Sequence, residues 1–396
     1  MFATIKKHKT IIIRLMVALM SFIDTIFLNR CLGTSGKGEY SVIINYATVI
    51  QLVICFGIAM SYGSFYRKGL KKIEETYNTL LLLQSSIYCF LAFFVALIPI
   101  PVQIKCIVIL AVTITSESQY DALALFHDIS KRNIILFTCE FSYLLTLAIC
   151  FFTDIHNLYV ILAALMLRYV IRLIVYICKF KFFVVNLKGF DFTVVPKIIK
   201  IGVQITIISL LMQLNYNLDV IMMDRLGVKS DEIGIYSVAA QFACMVWIVP
   251  DAFKELIFNR TKKDDSPLLI KKALLLNITI NIAIILCFFC LGDFFIKLAY
   301  GEVFVESYTL TLILLIGCIP MVIYKIIHPL YISKQKNNIV ITILSISVCM
   351  NMFANFIFIP LMGAKGAALS SVISYSICGF VFLFKYLVDC KKRSTL

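Results

Sequence analysis

The sequence predicts an all-α polytopic membrane protein of about twelve transmembrane helices in two six-helix lobes, and three observations carry that prediction. Of 396 residues, 61% are hydrophobic and 15% charged, with a mean hydropathy of +0.96; no soluble domain of this length sustains that balance. Apolar runs recur along the whole chain between short charged breaks, each about the 20 residues needed to cross ~30 Å of hydrocarbon. Lys and Arg gather in alternate breaks, which is the pattern that sets membrane topology.

The first span, 11–32, follows Lys6, Lys7 and Lys9. It contains Arg14 and Asp24 and runs into Arg30 without a small-residue cleavage site, so it reads as a retained helix and not a signal peptide. The second, 41–66, is closed by Arg67 and Lys68. The third and fourth, 79–99 and 104–126, are divided by Pro99 and Pro101. Lys131 and Arg132 precede the fifth, 133–153, and Lys179 and Lys181 close the sixth, 156–178. The second set lies at 198–225, 234–258, 270–292, 307–331, 339–361 and 366–388, with Lys and Arg clusters at alternate breaks. Connections assigned to one side hold 26 Lys and Arg against 7 on the other. That bias puts both termini in the cytoplasm and favours an even number of spans.

The domain reading is an N-terminal lobe over 1–178, a basic cytoplasmic linker over 179–197 and a C-terminal lobe over 198–396. A sequence echo links the lobes. Asp24, Arg30, Leu32 and Gly33, followed by Gly38, Tyr40, Ser41 and Val42, correspond to Asp219, Arg225, Leu226 and Gly227, followed by Gly234, Tyr236, Ser237 and Val238. Ile129-Ser130-Lys131 is matched in the same way by Ile332-Ser333-Lys334. An even number of spans per copy gives both copies the same orientation. Such a parallel repeat is used by carriers that rock two lobes about a central site.

Composition excludes several classes. The formal charge of +15 comes in bursts between apolar runs, so no nucleic-acid partner is expected. The 14 cysteines, among them Cys55, Cys89, Cys150, Cys287 and Cys349, stand in apolar stretches and read as reduced core residues, neither a metal site nor a disulfide frame. There is no Walker A loop, H-E-x-x-H or nucleophile elbow, so the chain is expected to be a transporter without its own nucleotide hydrolysis and without a cofactor.

Charges inside spans cost about 2.5–3.5 kcal/mol at a helix centre and need a partner or a wet cavity. Asp24 and Asp219 lie toward the outer parts of the first and seventh helices, at matching depth in the repeat, with Arg30 and Arg225 at the mouth and Asn215 and Asn217 near Asp219. Glu117 and Asp121 share a face of the fourth helix, as Lys325 and His328 do in the tenth. Asp121 and Lys325 are candidates for an ion pair between lobes. Packing accounts stand beside these readings: snorkelling for Arg14, Arg168 and Arg172 toward the cytoplasmic helix ends, helix capping for Arg30 and Arg225, and interhelical hydrogen bonding for Asn351 and Asn355.

The stretches 30–40 (RCLGTSGKGEY), 214–223 (LNYNLDVIMM), 234–239 (GIYSVA) and 360–370 (PLMGAKGAALS), in this order, resemble the polysaccharide repeat-unit flippases, O-antigen and capsule type, of the multidrug/oligosaccharidyl-lipid/polysaccharide exporter superfamily. The resemblance implies a two-lobed bundle in the bacterial inner membrane. Its cargo would be an undecaprenyl-diphosphate-linked oligosaccharide, carried from the cytoplasmic to the outer leaflet among membrane lipids. A polysaccharide polymerase and chain-length machinery would be its partners. It also implies that basic residues within the membrane grip the headgroup. The substrate-binding candidates are then Arg14, Arg30, Arg225 and Lys325 with Asn215 and Asn217, and the gating or ion-coupling candidates are Asp24, Asp219, Glu117 and Asp121. A cation-coupled multidrug exporter of the same superfamily is the competing expectation. A membrane glycosyl polymerase would require a long outer loop, and none is present.

Overall fold

The computed structural model describes residues 2–66, 73–182, 190–248, 250–251 and 267–394. The expected basic run Arg67–Lys72, the middle of the linker, and the end of the eighth span with Lys254, Arg260, Lys262 and Lys263 lie outside them. Among these residues twelve α-helices follow in order: α1 (Phe2–Ile54), α2 (Ile58–Tyr66), α3 (Ile73–Leu97), α4 (Val102–His127), α5 (Ile129–Phe152), α6 (Leu158–Phe180), α7 (Val195–Arg225), α8 (Ser230–Met245), α9 (Pro267–Tyr300), α10 (Ser307–Ser333), α11 (Asn337–Met362) and α12 (Ala364–Ser394). Among the described residues, nine helices are long and apolar enough to cross a membrane. No strand occurs among them.

Local chemistry sets the breaks. α1 joins two expected spans through a kink at Gly33, whose φ of 64° and ψ of −171° suit a residue without Cβ. The second expected span is itself broken at Gly57 (φ 60°), where a Cβ would strike the Gly202 carbonyl oxygen. Asp128 caps α5 by accepting from the Ser130 and Lys131 amides at 2.9 and 3.1 Å, and Asn157 caps α6 through Tyr159 N at 2.9 Å. Pro101 precedes α4, where its missing N–H costs nothing. Within α10, Pro320 and Pro329 interrupt the backbone ladder on either side of Lys325.

The chain packs into two units, one of residues 1–32 and 43–210, the other of 33–42 and 211–396. Helices α1 and α7 therefore contribute to both. In the first unit α4 is central, packed on α2, α3, α5 and α6. In the second, α10 is almost wholly enclosed by α8, α9, α11 and α12. Large apolar side chains such as Phe93, Leu97, Phe152, Phe289, Phe294 and Phe384 are exposed, whereas Asn29, Asn215, Asp219, Asn277, Asn351 and Ser371 are buried. That inversion of the soluble pattern is what hydrocarbon demands of a bundle with a polar interior. The expectation that the cysteines are core residues holds for Cys31, Cys55, Cys139, Cys150, Cys318 and Cys378. It fails for Cys89, Cys178, Cys244, Cys287, Cys290 and Cys349, which are exposed; Cys287 and Cys290 also stand at C-x-x-C spacing on α9.

The second unit contains a reciprocal glycine seam built from the echoed motifs. A Cβ at Gly38 would enter the Ser230 carbonyl, and one at Gly234 would enter the Thr34 carbonyl. Thr34 and Gly38 are four apart in one copy, as Ser230 and Gly234 are in the other. Thr34 Oγ1 closes the seam by donating to Asp231 Oδ1 at 2.6 Å. Gly38→Ala and Gly234→Ala are each expected to cost about 1–3 kcal/mol by overpacking against backbone. Because they share one seam, the double variant should fall short of the sum. The midpoint of thermal unfolding of the purified protein measures this.

Candidate functional site

In the first unit, charges that hydropathy alone would forbid are satisfied by one another. Arg168 and Arg172 stand one turn apart on α6, and Glu117 and Asp121 one turn apart on α4, which packs on α6; the ion pair made across that contact is Arg172–Glu117. Arg172, 8% exposed, donates to Glu117 at 3.2 Å and to Glu140 of α5 at 3.1 Å. Arg168 donates to the same Glu140 oxygen at 3.1 Å and lies over the rings of Tyr143 and Tyr169 at 4.5 and 4.9 Å. Ser21 gives Glu140 a further hydrogen bond at 2.6 Å. One turn further along α4, Arg132 grips Asp121 with two bonds of 2.8 and 2.6 Å, and Tyr176 donates to it at 2.6 Å.

This geometry corrects two expectations. Arg168 and Arg172 do not snorkel to a surface; they neutralise glutamates inside the bundle. Asp121 finds its cation in Arg132 within the first unit, and Lys325 finds its anion in Asp251 within the second, so neither needs the other as a counter-ion. Glu140 was absent from the expected set although it is the one charged residue between 133 and 153. The cost of a charge within an apolar span was enough to flag it.

Asp24 lies in the same unit, 5% exposed and beside the Glu140 carboxyl, and no N–H or hydroxyl among the described residues donates to either of its oxygens. Four carboxylates, Asp24, Glu117, Asp121 and Glu140, thus stand with three guanidiniums. One negative charge is left unmatched, and by geometry it belongs to Asp24.

The second unit holds a different arrangement. Asp219 of α7 is 1% exposed and accepts from Tyr236 of α8 at 2.5 Å, Asn355 and Asn351 of α11 at 2.7 and 3.0 Å, and Ser371 of α12. One turn earlier, the Asn215 oxygen accepts from Ser374 at 2.5 Å and Ser347 at 3.1 Å. Asn351 and Asn355, read from sequence as interhelical glue, do bridge helices, and they do so by holding a carboxylate. Asp219 has four neutral donors and no cation beside it among the described residues.

Lys325 is also buried in this unit, 4% exposed. Its Nζ sits 2.9 and 2.8 Å from the two oxygens of Asp251 and over the rings of Trp247 and Tyr216 at 4.9 and 5.6 Å. His328 stacks on the Tyr324 ring at 4.4 Å, and its Nδ1 lies 3.0 Å from the Tyr324 carbonyl. Of the other expected ligands, Asn217 is half-buried, and Arg14, Arg30 and Arg225 are exposed. No cluster of three or more His, Cys, Asp or Glu arranged to hold a metal ion occurs among the described residues.

No protein-family model matches the chain, and no curated protein matches it. Solved structures do. The lipid II flippase MurJ, in an inward closed conformation, superposes with a TM-score of 0.74 at 14% identity, covering 95% of this chain and 87% of its own. An inward-facing multidrug resistance MATE family transporter of the MOP superfamily gives 0.67 at 13%, covering 96% of each chain. A MOP superfamily transporter from Pyrococcus furiosus, whose binding pocket is described as having reverse polarity, gives 0.65 at 14%, covering 96% of this chain and 93% of its own. At these identities the likeness establishes the fold, and the chain has the fold of MOP superfamily transporters.

Proposed function

We propose that this chain is a flippase that carries undecaprenyl-diphosphate-linked oligosaccharide repeat units, of O-antigen or capsule type, from the cytoplasmic to the outer leaflet by alternating access, driven by an ion gradient or the membrane potential. The observation that supports it most is the near full-length likeness to a lipid II flippase, in a chain whose buried charges include cations in both units. A diphosphate and several sugars cannot cross ~30 Å of hydrocarbon unaided, while the lipid tail never has to leave it. The cargo therefore needs a polar path with cationic contacts and no covalent chemistry. The parallel repeat, with lobes at 1–178 and 198–396, belongs to this reading.

Coupling is proposed at Asp24 and Asp219, the two echoed carboxylates. Each is buried in its own unit without a matched cation, and a single positive charge would complete it: a proton, or a hard cation taken by carboxylate, hydroxyl and amide oxygens. One elementary charge moved across the membrane is worth about 2.3 kcal/mol per 100 mV, enough to bias an alternating cycle.

The likeness to MATE transporters favours a second reading, a cation-coupled exporter of small molecules. Deleting the gene in a strain without a substitute flippase separates the two. The expected result is loss of surface polysaccharide with lipid-linked repeat units accumulating inside and drug sensitivity unchanged. Intact polysaccharide with raised drug sensitivity would favour the exporter.

A further inference from the structure

The starts of α8, α10 and α12 surround a cavity of about 540 Å³ in the second unit, within the range of ~300–1,000 Å³ that holds small molecules. The Lys and Arg bias of the sequence assigns these helix ends to the outer side of the membrane. Five charged side chains line the cavity: Lys229, Asp231 and Glu232 around the start of α8, Glu306 just before α10, and Lys365 in α12. Two of the carboxylates are fixed by the protein. Thr34 donates to Asp231 Oδ1 and the Ala364 amide donates to Glu232 Oε1, both at 2.6 Å. Gly363 admits the second of these bonds, because a Cβ there would strike the Glu232 carboxyl. The other three charges are uncommitted: Lys229, Glu306 and Lys365 make no side-chain hydrogen bond or ion pair among the described residues.

The mixture of signs decides what fits. A bare cation entering the cavity meets two ammoniums, and a bare anion meets three carboxylates, so either is opposed by part of the lining. A molecule with one negative charge and several hydroxyls satisfies both signs. Its anionic group pairs with the ammoniums, and its O–H groups donate to the carboxylate oxygens, which can only accept. A zwitterion also carries both signs, but its single ammonium would answer one carboxylate of three. Ile235 and Leu310 supply an apolar patch for the C–H face of a ring.

We propose that this outer cavity is a subsite for an acidic saccharide: Lys229 and Lys365 take its carboxylate, while Asp231, Glu232 and Glu306 accept from its ring hydroxyls. This rests on the flippase reading above and adds to it the class of sugar, a repeat unit that contains a uronic acid. Binding is non-covalent. It engages the glycan at the outer side, where the cargo arrives.

Equilibrium dialysis of the full-length protein in micelles tests this with a labelled glucuronate-containing trisaccharide and its carboxyl-reduced form, which carries a hydroxymethyl group in place of the carboxylate. The acid should bind at least about tenfold more tightly, and Lys229→Gln with Lys365→Gln should abolish that preference without changing the unfolding temperature. Lys297→Gln should keep it, since Lys297 is assigned to the same side but pairs with Asp293 and does not line the cavity. No preference in wild type, or one that survives the double substitution, would overturn the proposal. Displacement of the trisaccharide by an equal concentration of free glucuronate would overturn the assignment to the cargo, and displacement by glycine would overturn it in favour of a zwitterion. The composition of the surface polysaccharide separates the two levels. A polysaccharide that needs this gene for export yet contains no acidic sugar sinks the subsite and leaves the flippase reading standing. Polysaccharide unaffected by deletion of the gene, in a strain without a substitute flippase, removes the flippase reading and the assignment to the cargo with it.

Discussion

Replacing Arg172 by Met is expected to destabilise the first unit by about 3–5 kcal/mol, because it strips the cation from a buried carboxylate and leaves the charge in place. Arg172 bonds to Glu117 and Glu140 together. Glu140 keeps Arg168 and Ser21 after the substitution, whereas Glu117 loses its one hydrogen-bonded cation and is left in a helix packed on four others. The damage should therefore be traceable to Glu117. Adding Glu117→Gln to Arg172→Met should recover more than half of the loss, since a neutral amide has no charge to strand. Adding Glu140→Gln should recover much less. Thermal unfolding of the three proteins in micelles measures this, and equal recovery by both second substitutions would mean that the cost lies in Arg172 packing and not in an orphaned charge.

The same network shows how far a single sequence reaches. Hydropathy located the spans, and the polar exceptions within them were visible one by one: Asp24, Glu117, Asp121, Asp219 and Lys325 were all marked by the cost of carrying them. Their partners were not. Asp121 lies 11 residues from Arg132 and 55 from Tyr176, and Asp219 lies 132 to 152 from the α11 and α12 groups that hold it. Which of several in-span charges meet depends on the rotation of each helix about its axis, and an apolar span facing lipid on one side and polar groups on the other carries a weak periodic signal for that. Hence Asp121 and Lys325 looked like partners although each has an ion partner within its own unit, and Asp251, beside the conspicuous Pro250, was missed because it follows the apolar part of its span. Helix boundaries depart furthest from expectation at Gly57, at the eighth span, whose helix stops at Met245 before a turn at 246–247, and at the ninth, which runs on to Tyr300. The non-helical Gly33 separates two helices where a break between spans was expected, whereas Gly57 breaks a span expected to be continuous.

Asp219→Asn is expected to reduce export at least about tenfold while leaving the protein as stable as wild type or more so. The usual penalty for altering a buried hub is small here for a specific reason. Asn is isosteric with Asp, and its new amide donor would face Asn351 and Asn355, each of which can turn its side-chain amide to present oxygen in place of nitrogen. Asn355 Oδ1 has no hydrogen-bond partner among the described residues, so that rotation gives up no bond made by this oxygen. The hub closes around a neutral residue, and the cost of keeping an unmatched carboxylate in a site 1% exposed disappears. What goes with it is the negative charge that a proton or cation would bind. Loss of export with a retained or raised unfolding temperature therefore separates coupling from packing, because a residue needed only for packing would lose both together. Reconstituted vesicles sharpen the test: the response of transport to an imposed sodium or proton gradient should vanish in Asp219→Asn. If export and its ion dependence both persist, Asp219 is a structural knot and the coupling charge falls to Asp24, which lies against Glu140 with no N–H or hydroxyl donating to it among the described residues.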